Sequence, residues 1–365
     1  MKIAIKNTKK LEELANNTAI HSKITSLYLT NLVLEEIPNF VKNLVNLKSL
    51  DLAGGSKISD ITALFGLSAL QELDLGYNQI SDISVLSELI TLKELNLSCN
   101  QISDISALAN LTNLKELYLE GNQISDISSL ANLTNLKELC LDKNQINDIS
   151  SLANLTNLKV VSVSSNKIVN ISTLANLTNL KELYLHTNQI SDISLLANLI
   201  NLKTVSLSRN EINDISSLSG LSSLQVLYLS VNQISDISSL SGLSNLRELD
   251  LRWNKKITNY GALKSLSPNC EICKGPRISS HYVARVFIIR NFFSSSQNKS
   301  FGEFLLQSTC CGLYINNRKS GSFYITLKKK NTNEKMIAIL FVIYGYRDSW
   351  SDAAQYYGAP SDARR

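Results

Sequence analysis

The apolar positions of this chain recur at a fixed spacing. The segment Leu-x-x-Leu-x-Leu-x-x-Asn-x-Ile returns with its asparagine at Asn78, Asn100, Asn122, Asn144, Asn166, Asn188, Asn210, Asn232 and Asn254, 22 residues apart each time. Two less regular copies come first, around Leu27/Leu29 and Leu50/Leu52, with Leu32 and Ser56 near the asparagine place, which makes eleven full or nearly full repeats. Within Leu92–Asn100, strand alternation sends Leu95 and Leu97 inward and leaves Glu94, Asn96 and Ser98 outward. Repeats of this length cannot bury their leucines alone; they stack, one short strand per coil, around a continuous core. Asn269–Ile272 is predicted as a twelfth, partial strand that closes the stack.

The asparagine column reads as structural. Buried at the turn, each amide can donate to and accept from backbone groups of adjacent coils. Ser-Asp-Ile segments place Asp60, Asp82, Asp104, Asp126, Asp192 and Asp236 where a side chain caps a short helical turn, with Asp148, Asn170 and Asp214 as equivalents. Residues 1–23 are expected to form an N-terminal cap, with Thr8 capping a helix over Lys9–Ala15. Beyond Lys274 the period stops, and the runs Phe323–Leu327 and Met336–Ile343 around Asn331-Thr332-Asn333 predict a hairpin. The expected organisation is thus an N-terminal cap (1–23), a solenoid (24–273) and a basic extension (274–365).

Blocks such as Asn122-Gln123-Ile124-Ser125-Asp126-Ile127-Ser128-Ser129-Leu130-Ala131-Asn132-Leu133 resemble the bacterial internalin-type leucine-rich repeat. They are also similar to the repeat of the leucine-rich regulatory subunit of protein phosphatase 1, and the resemblance spans residues 24–273. It implies an α/β repeat solenoid, a leucine-rich-repeat horseshoe with a parallel concave sheet and short helical turns on the convex side. It further implies a protein partner bound on the concave face.

Charge marks the same boundary near Lys274. Residues 1–273 hold 22 Lys+Arg against 26 Asp+Glu, whereas residues 274–365 hold 14 against 5. The densest basic run, Lys328–Lys330, is short, so nucleic-acid or membrane binding is not expected. The N-terminus Met1-Lys2-Ile3-Ala4-Ile5-Lys6 meets charge early and Met336–Tyr346 is too short to span a bilayer, which predicts a cytoplasmic, monomeric protein.

Catalysis is not expected either. The three histidines, His21, His186 and His281, accompany no nucleophile elbow and no phosphate-binding glycine loop. Cys270-x-x-Cys273 with the adjacent pair Cys310-Cys311 makes a poor zinc set, so no metal and no cofactor are predicted. Asn-Leu-Thr at Asn110, Asn132, Asn154 and Asn176 reads as repeat consensus.

Outward positions carry the variation. Just before each strand, a basic ladder (Lys93, Lys115, Lys137, Lys159, Lys181, Lys203) runs beside an acidic one (Glu72, Glu94, Glu116, Glu138, Glu182, Glu248), and the two are expected to offset each other. The mid-strand column reads Tyr28, Asp51, Asp74, Asn96, Tyr118, Cys140, Ser162, Tyr184, Ser206, Tyr228, Asp250. Cys140 and Ser162 leave a shallow trough between Tyr118 and Tyr184, roughly 14 Å apart at about 4.8 Å per coil. Glu120, Asp142, His186, Arg209, Arg252 and Trp253 line the neighbouring columns. Tyr, Trp and Arg are enriched at binding hot spots, so these residues are the expected partner-binding set. Expected functions are a non-catalytic protein-interaction scaffold or, as alternatives, a regulatory subunit of a phosphatase or similar enzyme, or an exported bacterial adhesin or effector.

Overall fold

The computed structural model describes residues 1–274, apart from residues 6, 31, 55 and 56, together with the backbone of 311–317, 323–329 and 335–338. Ser56, His281 and Cys310, named above, lie outside the described residues. The chain divides into two compact units, Met1–Pro276 and Arg277–Arg365.

The first unit is a parallel sheet of thirteen three-residue strands in sequence order, from β1 (Lys2–Ala4) and β2 (Ser26–Tyr28) to β12 (Glu248–Asp250) and β13 (Glu271–Cys273). Each strand returns to the next through a convex segment holding a short 3-10 turn, such as Ser106–Leu108 or Ser172–Asn176. The core is one continuous stack of Leu, Ile and Val columns, in which Leu95, Leu117, Leu183 and Leu227 are fully buried. Burying an aliphatic side chain contributes about 1.5–3 kcal/mol, so the repeated columns supply most of the driving force for folding.

The closing strand expected around Asn269–Ile272 is β13, which pairs with β12 through Leu249 and Ile272. At the other end, β1 extends the sheet by pairing with β2, which the sequence pattern did not foretell. The cap helix α1 spans Thr8–Asn16 and buries Leu14. Its N-cap is Asn7, whose Oδ1 accepts from the Lys10 amide at 3.0 Å, and not Thr8, which is already inside the helix. In the second unit β14 (Cys311–Asn317), β15 (Phe323–Lys329) and β16 (Lys335–Ala338) form an antiparallel sheet in that order. The strands β15 and β16 make the hairpin read from the sequence; β14 was not anticipated.

The asparagine column does what its spacing implies. Asn122 Nδ2 donates to Leu97 O and Leu119 O at 3.0 Å, while its Oδ1 accepts from Ile102 N at 3.0 Å, so one amide ties two coils together. Asn166 and Asn188 make the same bonds but are half-buried. A second asparagine ladder went unread: Asn113, Asn135, Asn157 and Asn179 each donate to a carbonyl of the previous coil at 2.9 Å.

The convex acids also differ slightly from the simple capping picture. Asp82, Asp104, Asp126 and Asp192 accept the amide two residues on at 2.8 Å, and an isoleucine intervenes as the formal cap. These carboxylates are fully exposed; for Asp104, Asp126 and Asp192 that bonded amide lowers the pKa below its ordinary value.

Candidate functional site

Each coil leaves the sheet through a residue in the left-handed backbone region, immediately before the asparagine. Tyr77, Cys99, Lys143, Ser165, Thr187, Arg209, Val231 and Trp253 have φ between 53° and 62°, and Gly121 takes this place with φ 68°. This conformation turns their side chains to the edge of the concave face. It places Arg209, which is exposed, and Trp253, which is half-buried, on that edge. The column mixes residue types freely, so nothing in the periodicity marked it.

The mid-strand column lies open along the face. In the strands β6 (Glu116–Tyr118), β7 (Glu138–Cys140), β8 (Val160–Ser162) and β9 (Glu182–Tyr184), pairing aligns Tyr118, Cys140, Ser162 and Tyr184 side by side. All four are half-buried. Tyr118 donates its phenol to Glu116 at 3.0 Å and to Glu138 at 3.2 Å, and Tyr184 donates to Glu182 at 2.7 Å. Burial first, and then the Glu138 and Glu116 carboxylates, push the Tyr118 phenol well above its ordinary pKa and keep it a donor. Tyr228 is half-buried one step beyond Ser206, which is 5% exposed.

The next column departs from expectation. Glu120 and Asp142 are 4% and 3% exposed, so neither offers a surface to a partner. Glu120 accepts from Lys143 Nζ at 3.0 Å. Asp142 accepts from Ser162 Oγ at 2.7 Å, from the Ser164 amide at 2.6 Å and from Cys140 Sγ at 3.4 Å. Burial, opposed by the Ser162 bond, raises Asp142 to about 6. The ligand atoms of Glu120, Cys140 and Asp142 lie within 4.8 Å of one another. Their acceptors are already committed to Lys143, Ser162 and Ser164, and burial pushes the Cys140 thiol up, away from the thiolate a metal needs. The cluster is a hydrogen-bonded network under the face.

Beyond it, burial and the nearby Lys143 and Arg209 charges lower the His186 pKa to about 4, which leaves a neutral imidazole at pH 7. Arg252 is tied to Asp250 by Nε at 2.8 Å and by its terminal nitrogen at 2.7 Å, a fork that holds the guanidinium in place.

The two charged ladders do not offset each other by contact. Among the described residues the ion pairs are Lys57–Glu35, Lys143–Glu120 and Arg252–Asp250, and none joins a ladder lysine to a ladder glutamate. Glu72, Glu94, Glu116 and Glu138 meanwhile stack in register on four successive strands.

No helix of the described residues is long and apolar enough to cross a membrane. Among curated protein sequences none matches the chain. A family model spanning two leucine-rich repeats matches residues 45–88, 68–110, 90–132, 112–154, 134–176, 156–198, 178–220 and 222–265. An internalin of Listeria monocytogenes, InlF, is similar in structure with a TM-score of 0.55 and 33% identity, over 71% of this chain and 88% of its own. Internalin C2 of the same organism gives a TM-score of 0.51 at 42% identity, over 52% of this chain and 84% of its own. A leucine-rich-repeat protein of Leptospira interrogans gives 0.59 at 28% identity, over 70% and 74%. A solenoid of short parallel strands, bonded coil to coil through an asparagine column and matched along most of its length by this repeat model, belongs to the leucine-rich-repeat family.

Proposed function

We propose that this protein is a non-catalytic interaction scaffold whose concave sheet face binds a protein partner. Leucine-rich-repeat proteins of this kind are interaction scaffolds; the concave site is inferred here from one observation. Tyr118, Tyr184 and Tyr228 stand half-exposed on an open, continuous sheet face, at the one outward column where composition varies freely while the buried columns repeat. Large aromatic side chains with an anchored polar tip supply contact area at little entropic cost, and with arginine they dominate measured hot spots. In this reading His186, Arg209 and Trp253 complete the contact surface. Arg252 contributes as a fixed fork with Asp250, and Glu120 and Asp142 act from below by holding Lys143 and the trough floor.

The test separates binding from folding. The double variant Tyr184→Ala, Tyr228→Ala removes exposed area from the face, so thermal melting should barely move while affinity for a partner recovered by affinity purification drops at least tenfold. Unchanged affinity would place the contact on the flank, the convex side or residues 274–365. The likeness to internalins favours, as a second reading, an exported adhesin or effector; recovery of the protein from culture medium distinguishes it from an intracellular scaffold. Regulation of a phosphatase draws no support from these likenesses.

A further inference from the structure

We propose that the trough between Tyr118 and Tyr184 is a receptor for an arginine side chain presented by the protein partner. The inference rests on the concave-face reading and narrows it to one recognition chemistry. The trough is two residues wide, Cys140 and Ser162, and its walls are tyrosines three strand spacings apart, roughly 14 Å. That width lets a planar group lie against either ring. The walls are preorganised, because each phenol is bonded to a glutamate, Tyr118 to Glu116 and Glu138, and Tyr184 to Glu182. A rigid receptor loses little entropy when it is filled.

Charge selects the occupant. At the strand starts, Glu138 and Glu182 flank the half-buried Val160, which offers apolar surface to an aliphatic stem. At the other end lies Asp142, and the nearby Lys143 is already paired with Glu120. The ladder lysines beside the strands make no ion pair with these carboxylates. A cation is therefore attracted, and an anionic side chain or a nucleic acid is repelled.

An independent feature points the same way. Ser164 leaves the chain on the same face as Ser162, has no exposed surface, and its hydroxyl has no hydrogen-bond partner. A buried hydroxyl without a partner costs free energy that an incoming donor recovers. Arginine suits the site better than lysine: its guanidinium is flat, carries five donors in a fork, and stacks on aromatic faces while bonding carboxylates.

The test uses the full chain and three pentapeptides, each with one central residue between glycines: arginine, lysine or citrulline, the last being the uncharged isostere of arginine. Binding is followed by saturation-transfer NMR. The arginine peptide should bind saturably and at least tenfold more tightly than the citrulline peptide, with lysine between them. Ser162→Leu fills the trough without changing charge, so it should weaken the arginine peptide at least tenfold and leave thermal melting in place.

Equal binding of arginine and citrulline peptides overturns the proposal, as does an arginine affinity indifferent to Ser162→Leu. Displacement of the arginine peptide by an oligonucleotide would also overturn it. If a recovered partner loses affinity for the Tyr184→Ala, Tyr228→Ala variant while the arginine peptide fails, the concave reading stands and the arginine receptor falls. If the peptide result holds but that variant binds its partner normally, the trough is real and the broader concave reading is wrong.

Discussion

Replacing Asn122 with alanine tests how the coils are joined. The substitution removes three hydrogen bonds at 3.0 Å, two donated to Leu97 O and Leu119 O and one accepted from Ile102 N. At a net value near 1 kcal/mol per bond the loss is about 3 kcal/mol. Each stranded group that water cannot reach raises it further, so about 3–5 kcal/mol is expected for Asn122, which is 8% exposed. Asn166 makes the equivalent bonds but is half-buried. Water can replace part of what Asn166→Ala loses, and its cost should be about 1–3 kcal/mol. Because Leu97 and Ile102 belong to the preceding coil, the loss falls on the coupling between neighbours, which sets cooperativity in a linear array. Urea denaturation of the two variants, with hydrogen exchange at the flanking coils, reads both effects. An Asn122→Ala cost below about 1 kcal/mol, or one no larger than that of Asn166→Ala, would refute the idea that the amide carries the coil-to-coil joint.

Two further outcomes follow from named positions. Val231 has a β-branched side chain at φ 58°. That region costs an L-residue roughly 1–2 kcal/mol, more than the roughly 0.5–1 kcal/mol of entropy that glycine adds. Val231→Gly should therefore raise the melting temperature. Gly121→Ala should lower it, because φ is 68° and the new Cβ would sit 3.2 Å from Cys99 Sγ; the reverse order of melting would sink the argument. Burial chiefly raises Asp74 from 3.8 to about 6, opposed by its bond to the Gly76 amide. The folded state then holds this proton more tightly than the unfolded chain, so the contribution is complete below pH 3.8 and is lost as pH rises through about 6. It amounts to at most about 3 kcal/mol. Urea midpoints should fall over that window in the full chain and fall less in Asp74→Asn; identical pH profiles would refute the assignment.

The leucine and asparagine columns were legible because burial and backbone bonding repeat with the coil, and a repeating need leaves a repeating residue. The solenoid and its strand register followed directly. Features set once, at an end or between particular side chains, were not legible. The strand β1 has no leucine pattern, and the helix cap fell to Asn7 because an unpaired amide at Lys10 lay within its reach. Glu120 and Asp142 occupy an outward column, yet Lys143, Ser162 and Ser164 bond to them, so alternation alone misplaced them at the surface. The charge ladders looked mutually compensating as letters, but the carboxylates face the sheet and the phenols while the ladder lysines pair with none of them.

The identical bonding of every coil has a consequence for how such a gene can change. Because Asn100, Asn122, Asn144 and Asn166 each reach back to the same atoms of the preceding coil, excising any one 22-residue unit rejoins a donor to an equivalent acceptor. Unequal recombination among these near-copies would thus shorten or lengthen the molecule without breaking its interior. The outward face is not so forgiving. Losing the coil of Cys140 or Ser162 would draw Tyr118 and Tyr184 from roughly 14 Å to about 10 Å. The ancestry of such a protein can therefore be neutral in copy number for folding and discontinuous for recognition, each recombination event resetting the spacing of the rings in a single step.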